Sequence, residues 1–444
     1  MNVMTEVKVI KTAAEAALAA TYAEAHGRLP GGSAIAARRQ AAFDLFAKEG
    51  LPHRRVEDWK YTDLRALMRE AKPLAPPPDV AAKARGKAAG ALLGDVETRR
   101  LVFIDGAFMP ELSDTAALEA GLTIGSLAQA LAGGDAALAG ELGKLAPATD
   151  VAVALNTALM SDGAVIRIAP GATIERPLHL VFAASGKPAA SFIRSLVTVG
   201  QRARAMLIES HEGPAGSGYQ VNAALELLVG DGAHVDHVKL IGEGTDALHV
   251  STLAAAIGGK ARFNTFTFTV GGAVVRNQIF LNFDGEETVA GIRGASLLKG
   301  KQHADTTLVV RHGARGCQSR EVFKSVLDDE AHGVFQGRII VKPQAQQTDA
   351  KMMTRALLLS DRAEADNKPE LEIFADDVQC GHGATAGAID EELKFYLMAR
   401  GIPEPEAEAL LIQAFLGEAV DGLEHAGLRE ALMDQVAAWL KARA

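Results

Sequence analysis

Two side chains in this sequence combine reactive type with useful spacing: Cys380 and His382, within Asp376-Asp377-Val378-Gln379-Cys380-Gly381-His382-Gly383. Thiolate and imidazole are both ligands suited to iron and zinc. Cys-x-His offers too few donors for a closed site, so one chain supplies at most part of a shared one. The plainer reading is a glycine-permitted turn at a strand end, with His382 hydrogen-bonded to backbone and Cys380 a small buried hydrophobe. The only other cysteine is Cys317. Four cysteines of this chain therefore cannot hold a cluster, and the two present fit a reducing compartment better than a disulfide framework. Arg315 and Arg320 could lower the Cys317 pKa, although an incidental structural thiol is the simpler expectation. His303, His312 and His332 could line a surface near Cys317, although single core or surface histidines are the simpler expectation.

Other chemistries are missing their parts. No GxxxxGK[ST] occurs, and Gly258-Gly259-Lys260 lacks both the earlier glycine and the hydroxyl, so ATP hydrolysis is not expected. Gly213, Gly216 and Gly218 stand in the wrong order for a dinucleotide fingerprint and read as a flexible loop. Neither GxSxG nor HExxH is present. The acidic groups Asp328-Asp329-Glu330 and Asp376-Asp377 would serve a carbohydrate-active β-helix enzyme. Aromatic content of 5% argues against sugar stacking, and solvated turns explain both groups. With 46 basic and 55 acidic residues and a net charge of −9, no basic stripe for nucleic acid is expected. The first thirty residues carry Glu6, Glu15 and Glu24 and lack a basic-then-apolar leader layout. No apolar run is long enough to span a bilayer, and a soluble cytoplasmic protein is the expectation.

The elements that must position these residues fall into three stretches, read as a helical unit with linker over 1–97, a β core over 98–384 and a helical domain over 385–444. Helical patterns from about Thr12 to Met68 break at Leu29-Pro30-Gly31-Gly32 and at Gly50-Leu51-Pro52. A proline-rich segment, 73–78, and the charged 81–87 read as a mobile connection. Leu101 to Ile104 opens the β region, and from 165 to 378 short β-branched or alternating runs follow one another between turn signals. Gly171-Ala172, Gly232-Ala233 and Gly313-Ala314 recur at intervals of roughly 25 to 35 residues or their multiples, as stacked units require. Thr265, Thr267 and Thr269 alternate with Phe266 and Phe268, which predicts one buried face and one wet face. A solenoid of strands is the preferred reading, but a sandwich of two antiparallel sheets shows the same alternation. After Asp390, three amphipathic helices are expected. Leu393, Tyr396 and Leu397 share a face of the first, which Gly401 stops; Leu410, Leu411, Ala414 and Phe415 mark the second, and Leu432, Val436, Trp439 and Leu440 the third.

Residues 368–387, KPELEIFADDVQCGHGATAG, resemble the signature LEI.ADDV.CSHGAT.G shared by the SufB/SufD family of iron–sulfur cluster assembly proteins, and a helix similar to its DEE.LFYL.SRG follows. Gly381 stands where that family usually has serine. Arg54-Arg55-Val56-Glu57-Asp58-Trp59-Lys60-Tyr61-Thr62-Asp63-Leu64 is similar to the amino-terminal motif of the SufD branch, as is Gln346-Gln347-Thr348-Asp349-Ala350 leading to Leu357-Leu358-Leu359-Ser360. In the SufB branch an essential cysteine falls near the position of Thr354. The resemblance runs from about Arg54 to Val420. It implies a right-handed parallel β-helix flanked by helical domains, and a non-ATPase scaffold of the SUF system. His382, with Cys380, would contribute to a nascent, transient iron–sulfur cluster at an interface with SufB, and the terminal helices would dock the ATPase SufC. It leaves open whether reduced FAD joins the complex and whether the chain pairs with itself when alone; a purely structural homodimer without chemistry is the remaining alternative. Packing of the helical unit on the β body is the expected role of Trp59 and Tyr61.

Overall fold

The computed structural model describes residues 11–94 and 96–443; the beginning of the first predicted unit, with Glu6, lies outside them. The strands form one ten-stranded and one nine-stranded sheet, and from Ala164–Ile168 onward consecutive strands of the chain alternate between the two. From there each strand pairs with the strand after next, in parallel, as Leu248–Ile257 does with Val274–Phe283 and Arg262–Thr269 with Val289–Leu298. This is a parallel β-solenoid, which decides between the two readings that alternation left open. One turn takes 28 residues between His237 and Thr265, 29 between His303 and His332, and 31 between Gln346 and Asp377.

The recurring small-residue corners have a backbone cause. At one corner of successive turns a residue adopts the left-handed conformation: Gly171, Arg202, Gly232, Lys260, Glu287, Gly316 and Gln347. Each donates its N–H to a carbonyl of the following turn, for example Gly232 to Gly259 at 2.8 Å and Gly316 to Gln346 at 2.9 Å. Buried small residues follow six of them, Ala203, Ala233, Ala261, Thr288, Cys317 and Thr348, forming a column in which a larger side chain would meet its neighbours. Glycine is cheapest at such a φ, and the non-glycine members carry a cost that the stacked hydrogen bonds offset.

Two expectations are corrected by the packing. Phe266 and Phe268 point outward but lie under the C-terminal helices, and Thr265, Thr267 and Thr269 are also buried. Neither face is wet. The threonines face the interior, where Thr265 Oγ1 lies 2.9 Å from His237 Nδ1. Alternation reports two environments, and here the more polar one is the inside of the solenoid. The proline-rich segment is not a free connection: Ala190 and Pro73 share a 2.8 Å backbone hydrogen bond, and Ala75 donates to the Ala190 carbonyl at 2.9 Å.

Helices form within the stretch from Thr12 to Met68. Thr12 and Glu15 make a reciprocal cap on Ala13–Ala25, Ser33–Glu49 ends at Gly50, and both pack against Val151–Leu159. That third helix, together with Leu127–Ala132 and Ala136–Glu141, was not foreseen. Val151–Leu159 is apolar and buried almost all round, which leaves no stripe to read.

The C-terminal helices are Glu391–Met398, Glu404–Val420 and Ala426–Arg443, with Asp390 capping the first and Gly401 at a φ of 88° after it. The second and third pack on the outer face of the ten-stranded sheet: Ile412, Leu416, Leu432, Val436 and Trp439 meet Leu240, Phe266, Phe268, Leu297 and Val326. Ile412 and Leu416 turn inward rather than the expected Leu410 and Ala414, which are exposed.

Candidate half-site at the open end of the solenoid

The chemistry-bearing strand is the last of its sheet. Val378–Gly387 has one neighbour, Thr348–Leu358, with Cys380 beside Ala350 and His382 beside Met352. Glu364–Ile373 likewise ends the nine-stranded sheet against His332–Val341. No residue of either terminal strand is buried, whereas interior strands such as Gln220–Val229 are mostly buried. The stretch 380–383 is therefore strand rather than the turn that its glycines suggested. Gly381 has no neighbour within 4 Å of a built Cβ and does not need glycine's freedom here.

Cys380 and His382 are two residues apart on a strand and share its inner face. Cys380 is half-buried against the core, while His382 is exposed because no further turn covers it. Burial pushes the Cys380 thiol up, reinforced by the nearby Asp349 and Glu321 carboxylates and opposed by a hydrogen bond from Ala350. A metal would have to displace that proton. Both residues line a shallow depression of about 460 Å³ with Met352, Arg320 and Glu321.

Glu321 was not anticipated. It is fully buried, and neither carboxylate oxygen has a hydrogen-bond partner among the described residues. Burial pushes its pKa up to about 7. Only its place beside Met352, one strand in from His382, gives it meaning, and sequence spacing does not reveal that neighbourhood.

The remaining candidates do not converge on this site. Cys317 is buried in the corner column, 3.3 Å from the Gly285 carbonyl, and burial raises its thiol despite Arg315 and Arg320. Of the three histidines only His312 lies near that corner, 3.0 Å from Ser319. His303 and His332 begin neighbouring strands, with their Nδ1 atoms 3.2 Å apart, and His332 reaches Asp366 at 2.8 Å. Thr354 is buried and donates to Asn367 at 2.9 Å. The acidic groups occupy opposite corners of the solenoid. Asp328 binds Arg443 and Glu330 binds Arg362, while Asp377 donates its N–H to Gln346. They form no facing pair of carboxylates.

The amino-terminal motif braces the open end from outside. Trp59 is buried, donates to Asp150 at 3.1 Å and carries Arg276 4.4 Å above its ring. Thr62 donates to Asp305 at 2.5 Å, and Glu57 meets Lys368 of the terminal strand at 2.5 Å. Trp59 thus packs as expected, whereas Tyr61 is only partly buried.

The last strand of an open-ended parallel solenoid thus carries a thiol and an imidazole on one face. Residues 181–415 match the SUF system FeS cluster assembly SufBD core domain, and residues 13–180 match the SufBD protein N-terminal region. The chain belongs to the SufBD family of iron–sulfur cluster assembly proteins. It is 33% identical to an iron–sulfur cluster assembly SufBD family protein of Synechocystis over 89% of each chain. It is 30% identical to the iron–sulfur cluster assembly protein SufD of Escherichia coli, over 88% of this chain and 89% of that protein. It is 26% identical to the iron–sulfur cluster assembly protein SufD of Bacillus subtilis, over 64% of this chain and 65% of that protein. No helix among the described residues is long and apolar enough to cross a membrane.

Proposed function

We propose that this chain is the non-ATPase scaffold subunit of a cytoplasmic SUF assembly complex, and that it pairs through its open end with SufB so that a nascent iron–sulfur cluster forms at the seam. The observation that carries the reading is the pair of unpaired terminal strands with Cys380 and His382 on the inner face of one of them. Unpaired strand edges are templates for a second chain. The cluster is cargo: His382 and Cys380 offer one imidazole and one thiol, and the partner must supply the other donors. Imidazole can replace thiolate on cluster iron. Without SufB the same edges can accept a second copy of this chain. We assign no residue to a reduced flavin.

SufC docks, in this reading, on Glu391–Met398. This helix buries none of its residues and exposes Leu393, Phe395 and Tyr396. The two helices after it are already committed to the solenoid. Replacing His382 by alanine tests the cluster role: cluster yield on the reconstituted complex with SufB and SufC should fall at least about tenfold, a loss of roughly 1.4 kcal/mol or more. Unchanged yield in an intact complex removes His382 from the mechanism.

A further inference from the structure

A second set of donors lies inside the solenoid, six strands from Val378–Gly387 in the ten-stranded sheet, or on the order of 29 Å at normal strand spacing. His211 belongs to Arg204–Glu212 of that sheet, His249 to Leu248–Ile257 of the other, and Glu243 to the corner after His234–Gly242. One ligand atom from each comes within 4.8 Å of the other two. His211 and His249 are fully buried and Glu243 is 5% exposed.

These groups leave five polar atoms without a hydrogen-bond partner: both nitrogens of His211, both of His249, and Glu243 Oε2. A buried polar atom that nothing meets is destabilising, so five together call for a partner. His249 Nδ1 and Glu243 Oε2 are 3.0 Å apart, yet neither makes a hydrogen bond. Donor atoms that share one ion stand about 3.3 Å apart at bond lengths near 2.0–2.1 Å, with their lone pairs converging rather than pointing at each other. Phe182 stacks on His211 at 4.8 Å, and the His211 and His249 rings meet edge to face at 4.7 Å, which fixes both planes. Glu209 stands 3.8 Å from His211 Nε2, setting a second carboxylate beside that ring.

We infer that His211, Glu243 and His249 bind one divalent first-row transition ion, which ties the two sheets together across the interior of the solenoid. Two imidazoles and a carboxylate suit zinc or ferrous iron, whereas calcium and magnesium prefer all-oxygen sites. The other close group, His234, Asp236 and Glu424, is partly exposed and Glu424 is already paired with Arg262 at 3.0 Å, so it carries no such inference.

The test uses the full chain with Cys380→Ser and His382→Ala, so that the open-end donors are removed and failure of either proposal can be told apart. The protein is expressed with added zinc or, separately, cobalt, then dialysed against EDTA. About one equivalent of metal per chain should survive dialysis and leave only on unfolding, because the donors are buried. The cobalt form should show visible ligand-field bands. His249→Gln and Glu243→Gln should lose both the retained metal and the bands. No retained metal together with no bands overturns the inference, as does undiminished retention in folded His249→Gln and Glu243→Gln. If those variants do not fold, X-ray absorption of the metal-loaded parent decides: a shell of nitrogen and oxygen with imidazole scattering supports the site, and a sulfur neighbour moves the ion to Cys317 and overturns it.

Discussion

The two ends of the solenoid are built in opposite ways. At the amino-terminal end both sheets finish on a reversal: Ala107–Phe108 runs antiparallel to Arg99–Ile104, and Leu122–Ser126 antiparallel to Ala164–Ile168. Helices then cover the approach, with Leu127, Leu131 and Leu138 packed on Met160 and Leu196. At the carboxy-terminal end two parallel ten-residue strands simply stop. A long unpaired edge invites association, and proteins usually shorten, charge or cover it. Here one end is closed by those means and the other is left open where the thiol and imidazole stand, and it is on this open end that the proposed pairing rests.

Three experiments can break or sharpen that contrast. The largest effect belongs to the covered flank. Phe268→Ala removes a ring buried between the sheet and the terminal helices and should cost about 3–5 kcal/mol, read by urea unfolding. A loss below ~1 kcal/mol would mean that those helices are held loosely. Next is the carboxylate under the open end. The folded pKa of Glu321, about 7, lies above its ordinary value of 4.5, so the native state holds the extra proton between them. Its stabilising contribution is present below 4.5 and lost as pH rises through 7, amounting to about 3 kcal/mol. Glu321→Gln should therefore gain stability over the parent at pH 8 and lose that advantage by pH 4.5, in thermal melts at the two pH values. A pH-independent difference would contradict the buried, unpartnered state. Smallest in stability is Phe395→Glu on the uncovered helix. It should leave unfolding within ~0.5 kcal/mol, since the ring is 72% exposed. Copurification of SufC should nonetheless fall about tenfold or more; retained binding would place the ATPase elsewhere.

Much of the solenoid was legible in the sequence because parallel strands buried on both faces read as apolar runs. Leu101 to Ile104, read as the opening of the β region, lies within the strand Arg99–Ile104, which extends two residues further on its polar amino-terminal side. Asp390 and Gly401 marked the tail helix because cap chemistry is local. Local pattern could not say which environment lay on each side of Thr265 to Phe268, since both faces are buried and the interior is the more polar one. Val151–Leu159 was missed for want of a polar stripe. At the candidate site the donors Cys380 and His382 were visible as residue types at a spacing, but their glycines suggested a turn where the structure has a strand. Glu321 and the His211–Glu243–His249 group join residues from different turns, and only the register of the ladder brings them together.

The central claim is that the open end takes SufB as its next turn. Amide hydrogen exchange on Val378–Gly387 and Glu364–Ile373, with and without SufB, tests it most directly. Pairing should slow exchange in at least one of these strands by about tenfold or more while Gln220–Val229 in the interior stays unchanged. Unaltered exchange in both terminal strands, in a sample where SufB is demonstrably bound, would contradict the account.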